Sequence, residues 1–507
     1  MEAHRISAQL LRHRLNADYY TREALENDDR VRRYGCVTLG SRFNHTDSGY
    51  GVLPGSEEYL PAGKGIGLVR GGDLQLGAIN PPGVNAPLSY QTDWTMLRTG
   101  DVLLLIKGAC IDSPEGVGLV GEAEAGHIFN GSCYRIRLSG YDSGFLVAYC
   151  LTNFFLIQKR REIANTGVSY NDEDSINDYL VPNSSERVQT YVGDKVRQAE
   201  RLRLRAKKLQ SEAQAYFALP GMDAVRIGEF RAFRASSSVV DSIRLDPKFY
   251  DPGHFKLRDL LRPYQAVPIS ELAVSVSLRW AHEEPEFFYL EIGELDLGSG
   301  LVKPTRLQTV DAPSRATTLT QPGDVMVSTV RPNRKNVGLV PEIGEALPIV
   351  ASSGFSTLRF RSPEEAAFYL FWLRSDAATM QLMRWDAGSS YPAIDESVPL
   401  KVLVPRYADE VVREKGARWY QSFRAQALAE QLTAAAKLLV EALIEAKVTE
   451  AELVAAQEDL ERGDDAADRA LLRRLTRHGL DVPGQPPLFP DIDALYALLA
   501  QTQEANP

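Results

Sequence analysis

Arg14-Leu15-Asn16-Ala17-Asp18-Tyr19-Tyr20 returns 230 residues later as Arg244-Leu245-Asp246-Pro247-Lys248-Phe249-Tyr250. At that same offset Arg32, Tyr34, Val37 and Leu39 fall on Arg262, Tyr264, Val267 and Ile269. Further along, Thr99-Gly100-Asp101-Val102 matches Pro322-Gly323-Asp324-Val325, and Gly118-Leu119-Val120 matches Gly338-Leu339-Val340. Gly167 and Tyr170 recur as Gly388 and Tyr391, and Val181-Pro182 recurs as Val404-Pro405. The offset stays between 220 and 230, as expected when loops vary and elements keep their order. One domain is therefore written twice, and the chain offers two similar surfaces to a bipartite ligand.

Within each copy, short β-like runs alternate with Gly, Asn, Asp and Pro punctuation. In the first they fall at 102–106 and 134–138, before an apolar stretch, 145–157, that reads as one buried helix. In the second they fall at 325–330 and 357–360, before a helix-like 363–374. The fold class expected is α+β, used twice.

A different pattern follows each copy. Val188, Val192, Ala199, Leu202, Ala206, Leu209, Ala213 and Tyr216 keep a 3–4 alternation broken only at Lys195, which is a heptad seam. Ser184 and Ser185 stand where N-caps belong, and Leu219-Pro220-Gly221 stops the run. Ala425, Leu428, Leu432, Ala435, Leu439, Ala442 and Ala446 form an equivalent seam. The alanines favour close helix approach, so antiparallel pairing as a coiled-coil spacer is expected. The alternative is that each helix packs on its own domain. A tail without counterpart closes the chain: helical over 450–475, Pro-rich over 481–490, and a short apolar helix over 492–499. It reads as a docking or capping appendix. The segments expected are 1–183, 184–219, 220–406, 407–448 and 449–507.

The 507 residues exceed one core, and 44% hydrophobic with 24% charged residues is an ordinary globular composition. No apolar run approaches the roughly 20 residues of a membrane helix, and Met1-Glu2-Ala3-His4-Arg5 does not open a signal peptide. The four cysteines show no Cys-x-x-Cys spacing, which fits a reducing cytoplasm without structural zinc or disulfides. Of the net charge of −10, the tail from Thr449 contributes −7 (12 acidic, 5 basic). Local potential, not this total, decides whether a surface can meet DNA.

Two copies of such a domain, each followed by a long helix, resemble the DNA-specificity subunits of type I restriction–modification systems. The resemblance spans residues 10–448. It rests on the order of Gly100-Asp101-Val102-Leu103, Gly118-Leu119-Val120, Gly167-Val168-Ser169-Tyr170 and Leu180-Val181-Pro182. Their counterparts are Gly323-Asp324-Val325-Met326, Gly338-Leu339-Val340, Gly388-Ser389-Ser390-Tyr391 and Leu403-Val404-Pro405. Members often open the helix with Glu-Gln, where this chain has Asn183-Ser184-Ser185-Glu186 and Arg406-Tyr407-Ala408-Asp409. That departure and the acidic tail leave room for the homologous subunit of a related methylation-linked phage-defence system.

The resemblance implies two target-recognition domains and a non-catalytic chain that binds double-stranded DNA. It implies docking to two methyltransferase subunits, which would carry S-adenosylmethionine, and where restriction accompanies modification to a translocating restriction subunit. This chain would hold no cofactor. Each domain then needs groups for phosphates and base edges. The strongest candidate is the loop of Arg331, Asn333, Arg334, Lys335 and Asn336: cations suit phosphate or guanine, and Asn suits adenine. In the first copy the equivalent loop offers Lys107 and Ser113, with Asp112 and Glu115 opposing phosphate. The turns carrying Ser169-Tyr170 and Ser389-Ser390-Tyr391 are candidates, with a tyrosine packed under the turn as the alternative. Arg42 and Asn44, beside His45, complete the set.

Enzyme signals are weak. Asn80-Pro81-Pro82-Gly83 lacks the aromatic residue that would stack on a flipped base, and Lys64-Gly65-Ile66-Gly67 lacks Walker spacing. Asp101 and Asp324 lack a following Glu-x-Lys, so a turn role is expected. Two alternatives remain: a self-contained methyltransferase or nuclease, and a scaffold whose helices and tail bind partners without DNA specificity.

Overall fold

The structure is a computed structural model. It describes residues 17–504 except 62, 109, 164–168, 230–231, 235, 238–239, 241–243 and 387–390. The chain forms two compact units, one of residues 1–202 with 428–507, the other of residues 203–427. Both are α+β. The units divide inside both long helices, and Ala213, Val412, Trp419 and Phe423 of those helices belong to the core of the second unit.

The two units repeat one sheet topology. In the first, Val102–Leu105 and Cys133–Ile136 are the inner strands of a four-stranded antiparallel sheet, flanked by Gly49–Tyr50 and Val117–Leu119. In the second, Val325–Ser328 and Phe355–Arg359 take those places, flanked by Val274–Ser275 and Val337–Leu339. The register also repeats. Leu103 lies opposite Gly118 and Arg135, and Met326 lies opposite Gly338 and Thr357. The motifs at the two ends of each copy meet as well, Val37 pairing with Val181 and Val267 with Val404. A second sheet in each unit contains one parallel pair, Ile66–Val69 with Ile128–Phe129 and Glu286–Leu290 with Ile349–Ser352.

The paired motifs explain themselves as local chemistry. Gly100 and Gly323 have φ of 90° and 88°, a left-handed turn that suits glycine. The aspartate after each closes that turn, Asp101 accepting from the Arg98 N–H at 2.9 Å and Asp324 from the Gln321 N–H at 3.0 Å. Each aspartate is buried and also accepts two bonds from one arginine, Arg137 at 2.7 Å or Arg359 at 2.8 Å. This bidentate pairing welds the turn to the neighbouring strand. The opening motif becomes a 3-10 turn in both copies, Ala17–Tyr20 and Pro247–Tyr250. Its first aromatic ring carries a guanidinium, Arg161 at 4.6 Å from the Tyr19 ring and Arg384 at 4.1 Å from the Phe249 ring.

The expected single helix over 145–157 is two, Ser143–Cys150 and Asn153–Arg161. Thr152 interrupts it: its hydroxyl accepts from the Phe155 N–H at 3.3 Å, capping the second helix, and donates to the Tyr149 carbonyl at 2.7 Å. The second copy breaks in the same way between Pro363–Leu373 and Asp376–Met383, where Ser375 is the cap.

The seams become Glu186–Tyr216 and Asp409–Ile444, and their residues from Val188 to Ala213 and from Ala425 to Ala442 are buried. Within the second unit the helices touch in reversed order: Arg418 pairs with Glu212 at 2.8 Å, Arg205 donates to Gln421 at 3.2 Å, and Lys415 lies over the Tyr216 ring. Phe217, Phe368, Trp372 and Trp419 form the aromatic centre of that core. Of the two serines before the first helix, Ser185 offers its carbonyl to the Gln189 N–H, while the Ser184 hydroxyl bonds Tyr34 at 2.7 Å.

The tail forms helices Glu450–Glu461, Ala466–Arg473 and Ile492–Glu504, the first two separated at Gly463, whose φ is 84°. It accounts for Lys195, the one break in the first seam. The Lys195 ammonium is 0% exposed and donates to Asp468 at 2.8 Å, and Tyr191 and Tyr496 donate to the same carboxylate at 2.6 and 2.5 Å. Burial pushes the Asp468 carboxyl up, but Lys195 and the hydrogen bonds outweigh it and hold the group below its ordinary value of 3.8.

Candidate nucleic-acid interface

In the first unit, strand Val102–Leu105 runs on past Ile106 into the candidate loop, and Lys107 pairs there with Tyr170. The Gly108 N–H donates to the Ser169 carbonyl at 3.1 Å, and the Asn171 N–H donates to the Ile106 carbonyl at 2.9 Å. Loop and turn, about sixty residues apart in sequence, are thereby one short antiparallel ribbon at one end of the sheet. Lys107 and Tyr170 are exposed at its edge. The ribbon rests on helix Asn153–Arg161 through the Asn171 amide, which donates to the Lys159 carbonyl at 3.3 Å. Burial pushes the Lys159 ammonium down to about 8. Ser113 lies in the tight turn that follows, its hydroxyl accepting from the Glu115 N–H at 3.2 Å. Asp112 is offset by Arg160 at 3.3 Å.

The second unit builds the same ribbon from different side chains. Val330 pairs with Ala393, the Ile394 N–H donates to the Thr329 carbonyl at 2.9 Å, and the Arg331 N–H donates to the Pro392 carbonyl at 2.7 Å. The Arg331 guanidinium stacks 4.0 Å from the Tyr391 ring centre. Arg331 and Lys335 both hold left-handed conformations, φ 49° and 57°, around the single turn Pro332–Arg334. Two non-glycine residues in that region within six positions store on the order of 1–2 kcal/mol each. Asn333 and Arg334 are exposed at the loop's tip. Lys335, half-buried, reaches the exposed Asp376 at 2.6 Å.

The ribbon register corrects one alignment made from sequence. Lys107 stands where Val330 does, so Tyr170 corresponds to Ala393 and not to Tyr391. The segment leading from Arg161 to Tyr170 has the same length as that from Arg384 to Ala393, and the Gly-x-x-Tyr spelling is matched two positions out of register. Ser389 and Ser390 lie outside the described residues. Arg42 and Asn44 are not brought to the ribbon. The Arg42 carbonyl accepts from Ser139 and the Asn44 N–H donates to Arg137, beyond the Ile136 end of the strand that lies opposite Val102. That is the far end of the same sheet, roughly 20 Å of strand away from Lys107. There Arg42 donates to Asn183 at 2.9 Å, and the Asn44 amide is taken by Asp47 at 3.0 Å and Thr46 at 2.7 Å, as a loop-bracing residue.

What sequence reading missed is the pairing of these groups. The Arg331–Tyr391 stack joins two candidates whose contact no local pattern announces. Arg161 and Arg384, which anchor the helix ends behind the turns, carry a signal that could have been used: they recur at an offset of 223. Among the described residues no group of His, Cys, Asp or Glu is placed to hold a metal ion. Lys64-Gly65-Ile66-Gly67 leads into strand Ile66–Val69 and not into a helix, so it presents no helix N-terminus to a phosphate. Among the described residues no helix is long and apolar enough to cross a membrane.

Compared with known proteins, the chain matches no protein-family model and no curated protein. Among solved structures it is similar to the S subunit of a type I restriction–modification system from M. genitalium. That match has 13% identity over 81% of this chain and 94% of the other, with a TM-score of 0.39. It is also similar to a chain from work on complex assembly and conformational transition of the type I R-M system (19% identity, 85% and 97% covered, TM-score 0.25). A third is the HsdS subunit of Thermoanaerobacter tengcongensis (17% identity, 85% and 96% covered, TM-score 0.24).

Proposed function

We propose that the chain is a non-catalytic DNA-specificity subunit of a type I-like methyltransferase complex, each unit reading one half of a bipartite site. The observation that carries this reading is the pair of ribbons. One scaffold, repeated to the register of its strands, presents Lys107, Ser169 and Tyr170 in one copy and Arg331 to Asn336 with Tyr391 in the other. Equal frames with unequal tips are what two different half-sites require. Arg331, held in place by Tyr391, is assigned to a base edge, where a guanidinium binds guanine O6 and N7 together. Arg334 and Lys335 are assigned to phosphates, which position the domain without reading sequence. The two long helices are assigned the spacer between half-sites.

The same reading gives the chain its partners: two methyltransferase subunits that carry S-adenosylmethionine and, where restriction accompanies modification, a translocating restriction subunit. Its place is then the cytoplasm, with the DNA. The test is selection from a random duplex library by the assembled complex. A motif of two conserved blocks around an unconserved gap is expected, and Arg331→Ala should relax one block only. Selection of no motif would favour the scaffold reading, and a single-block motif would contradict the two-half-site assignment.

A further inference from the structure

Each unit carries an exposed leucine where the edge strand leaves the sheet, at the end that holds the ribbon. In the first unit Tyr50 lies opposite Tyr134, and the chain runs on through Gly51 and Val52 to Leu53, which is 76% exposed. The Val52 carbonyl accepts from the Gly131 N–H at 2.8 Å. The next carbonyl, that of Ser132, accepts from the Ile106 N–H at 2.9 Å, one residue before Lys107. Leu53 and Lys107 therefore stand at the same end of the sheet, two strand spacings or about 10 Å apart. In the second unit Ser275 lies opposite Leu358, the Val276 N–H donates to the Thr357 carbonyl at 2.9 Å, and Leu278 follows, 62% exposed. Strand Phe355–Arg359 separates it from Val325–Ser328, the strand that leads to Arg331. Single exposed leucines are ordinary on a protein surface, but these two are held in place. Leu53 precedes the buried Pro54, which confines it to extended backbone, and a Cβ on Gly131 would lie 2.8 Å from a Leu53 methyl, so the glycine makes room for it. The Leu278 carbonyl accepts from the Leu319 N–H at 2.8 Å, and the Trp280 N–H donates to the Thr317 carbonyl at 3.0 Å.

We infer, resting on the proposed reading of the ribbons as DNA contacts, that Leu53 and Leu278 each read a thymine through its C5-methyl group, one in each half-site. A leucine side chain has no hydrogen-bonding atom. Along the major groove the base pairs present donors, acceptors and one kind of apolar group, the thymine methyl. Pressing a leucine onto any other base edge would take polar groups out of water without giving them a partner. The major groove is about 12 Å wide, so a ribbon and a leucine about 10 Å from it fit one groove together. The leucines thereby add to the ribbon's cations a base contact that depends on no charge.

The experiment is competition binding of the assembled complex to the duplex recovered by library selection, with the thymines of both blocks replaced one at a time by uracil, which lacks only the methyl. One uracil in each block should weaken binding about fourfold, the effect of one buried methyl group. Leu53→Ala should abolish that loss in one block and Leu278→Ala in the other, and both side chains are exposed enough for the variants to fold. Affinities within about 1.5-fold for every uracil duplex, or losses that persist in both variants, overturn the inference and leave the bipartite motif standing. A loss abolished in one block only, or a second block without thymine, assigns thymine reading to one leucine and overturns it for the other. Recovery of no motif would overturn the DNA-specificity reading itself, and the thymine contacts with it.

Discussion

Removing the Asp468 carboxylate tests how the tail is held. Asp468→Ala strands a fully buried ammonium on Lys195 and takes the acceptor from the Tyr191 and Tyr496 hydroxyls, at 2.8, 2.6 and 2.5 Å in the native protein. Breaking one side of a buried pair costs about 3–5 kcal/mol, because the remaining charge is neither solvated nor neutralised. Replacing both partners by apolar groups is close to neutral, so Asp468→Leu with Lys195→Met should recover at least about 2 kcal/mol of that loss. The folded carboxyl lies below its ordinary value, so the pair's contribution is complete at neutral pH. It is lost only as pH falls through that lowered value. Peptide-resolved hydrogen exchange is the appropriate assay, since a chain of two units need not unfold in one step. Peptides covering 186–202 and 464–480 should lose protection in the single variant and regain most of it in the double. A single variant within about 1 kcal/mol of wild type, or a double variant no better than the single, would refute the reasoning.

Three further outcomes are expected. Asp324→Asn loses the bidentate pair with Arg359 and should lower stability by about 1–3 kcal/mol in thermal denaturation, and Asp101→Asn should do the same through Arg137. His254 is buried with neither ring nitrogen hydrogen-bonded, and burial pushes it down to about 4 from an ordinary 6.5. Its unfolded form therefore takes up a proton first, and stability should fall by up to about 3 kcal/mol from pH 6.5 to 4, a slope flattened in His254→Leu. Arg334→Ala with Lys335→Ala should weaken DNA binding across sequences and reduce its log–log salt slope by about 2, with unchanged slope removing the loop as a phosphate contact.

What was legible in the sequence is what each copy repeats for local reasons. Gly-Asp turns and the Val-Pro strand recur because each satisfies its own backbone, so their spelling survives twice. The helix break at Thr152 was hidden because an apolar run on both sides outweighs one hydroxyl in any periodicity. Lys195 looked like a flaw in a heptad seam because its partner lies 273 residues away, in the segment with no repeat to compare. The candidate interface was half legible: composition singled out Arg331 to Asn336, but only the strand register shows that the loop and the Tyr391 turn form one ribbon. It also shows that Arg42 and Asn44 sit at the other end of their sheet. The Tyr170–Tyr391 match failed because a motif of one glycine and one ring carries too little information to fix its own register, although the flanking pairs Arg161–Arg384 and Val181–Val404 keep one offset.

The central claim is that this chain chooses the DNA site for a partner methyltransferase. The most direct test is single-molecule methylome sequencing of cells carrying this gene with a candidate partner methyltransferase gene, against cells carrying the methyltransferase gene without this one. A bipartite methylated motif that disappears in cells without this gene is the predicted result, and it would supply both half-sites. Persistence of the same motif without this chain would contradict the account.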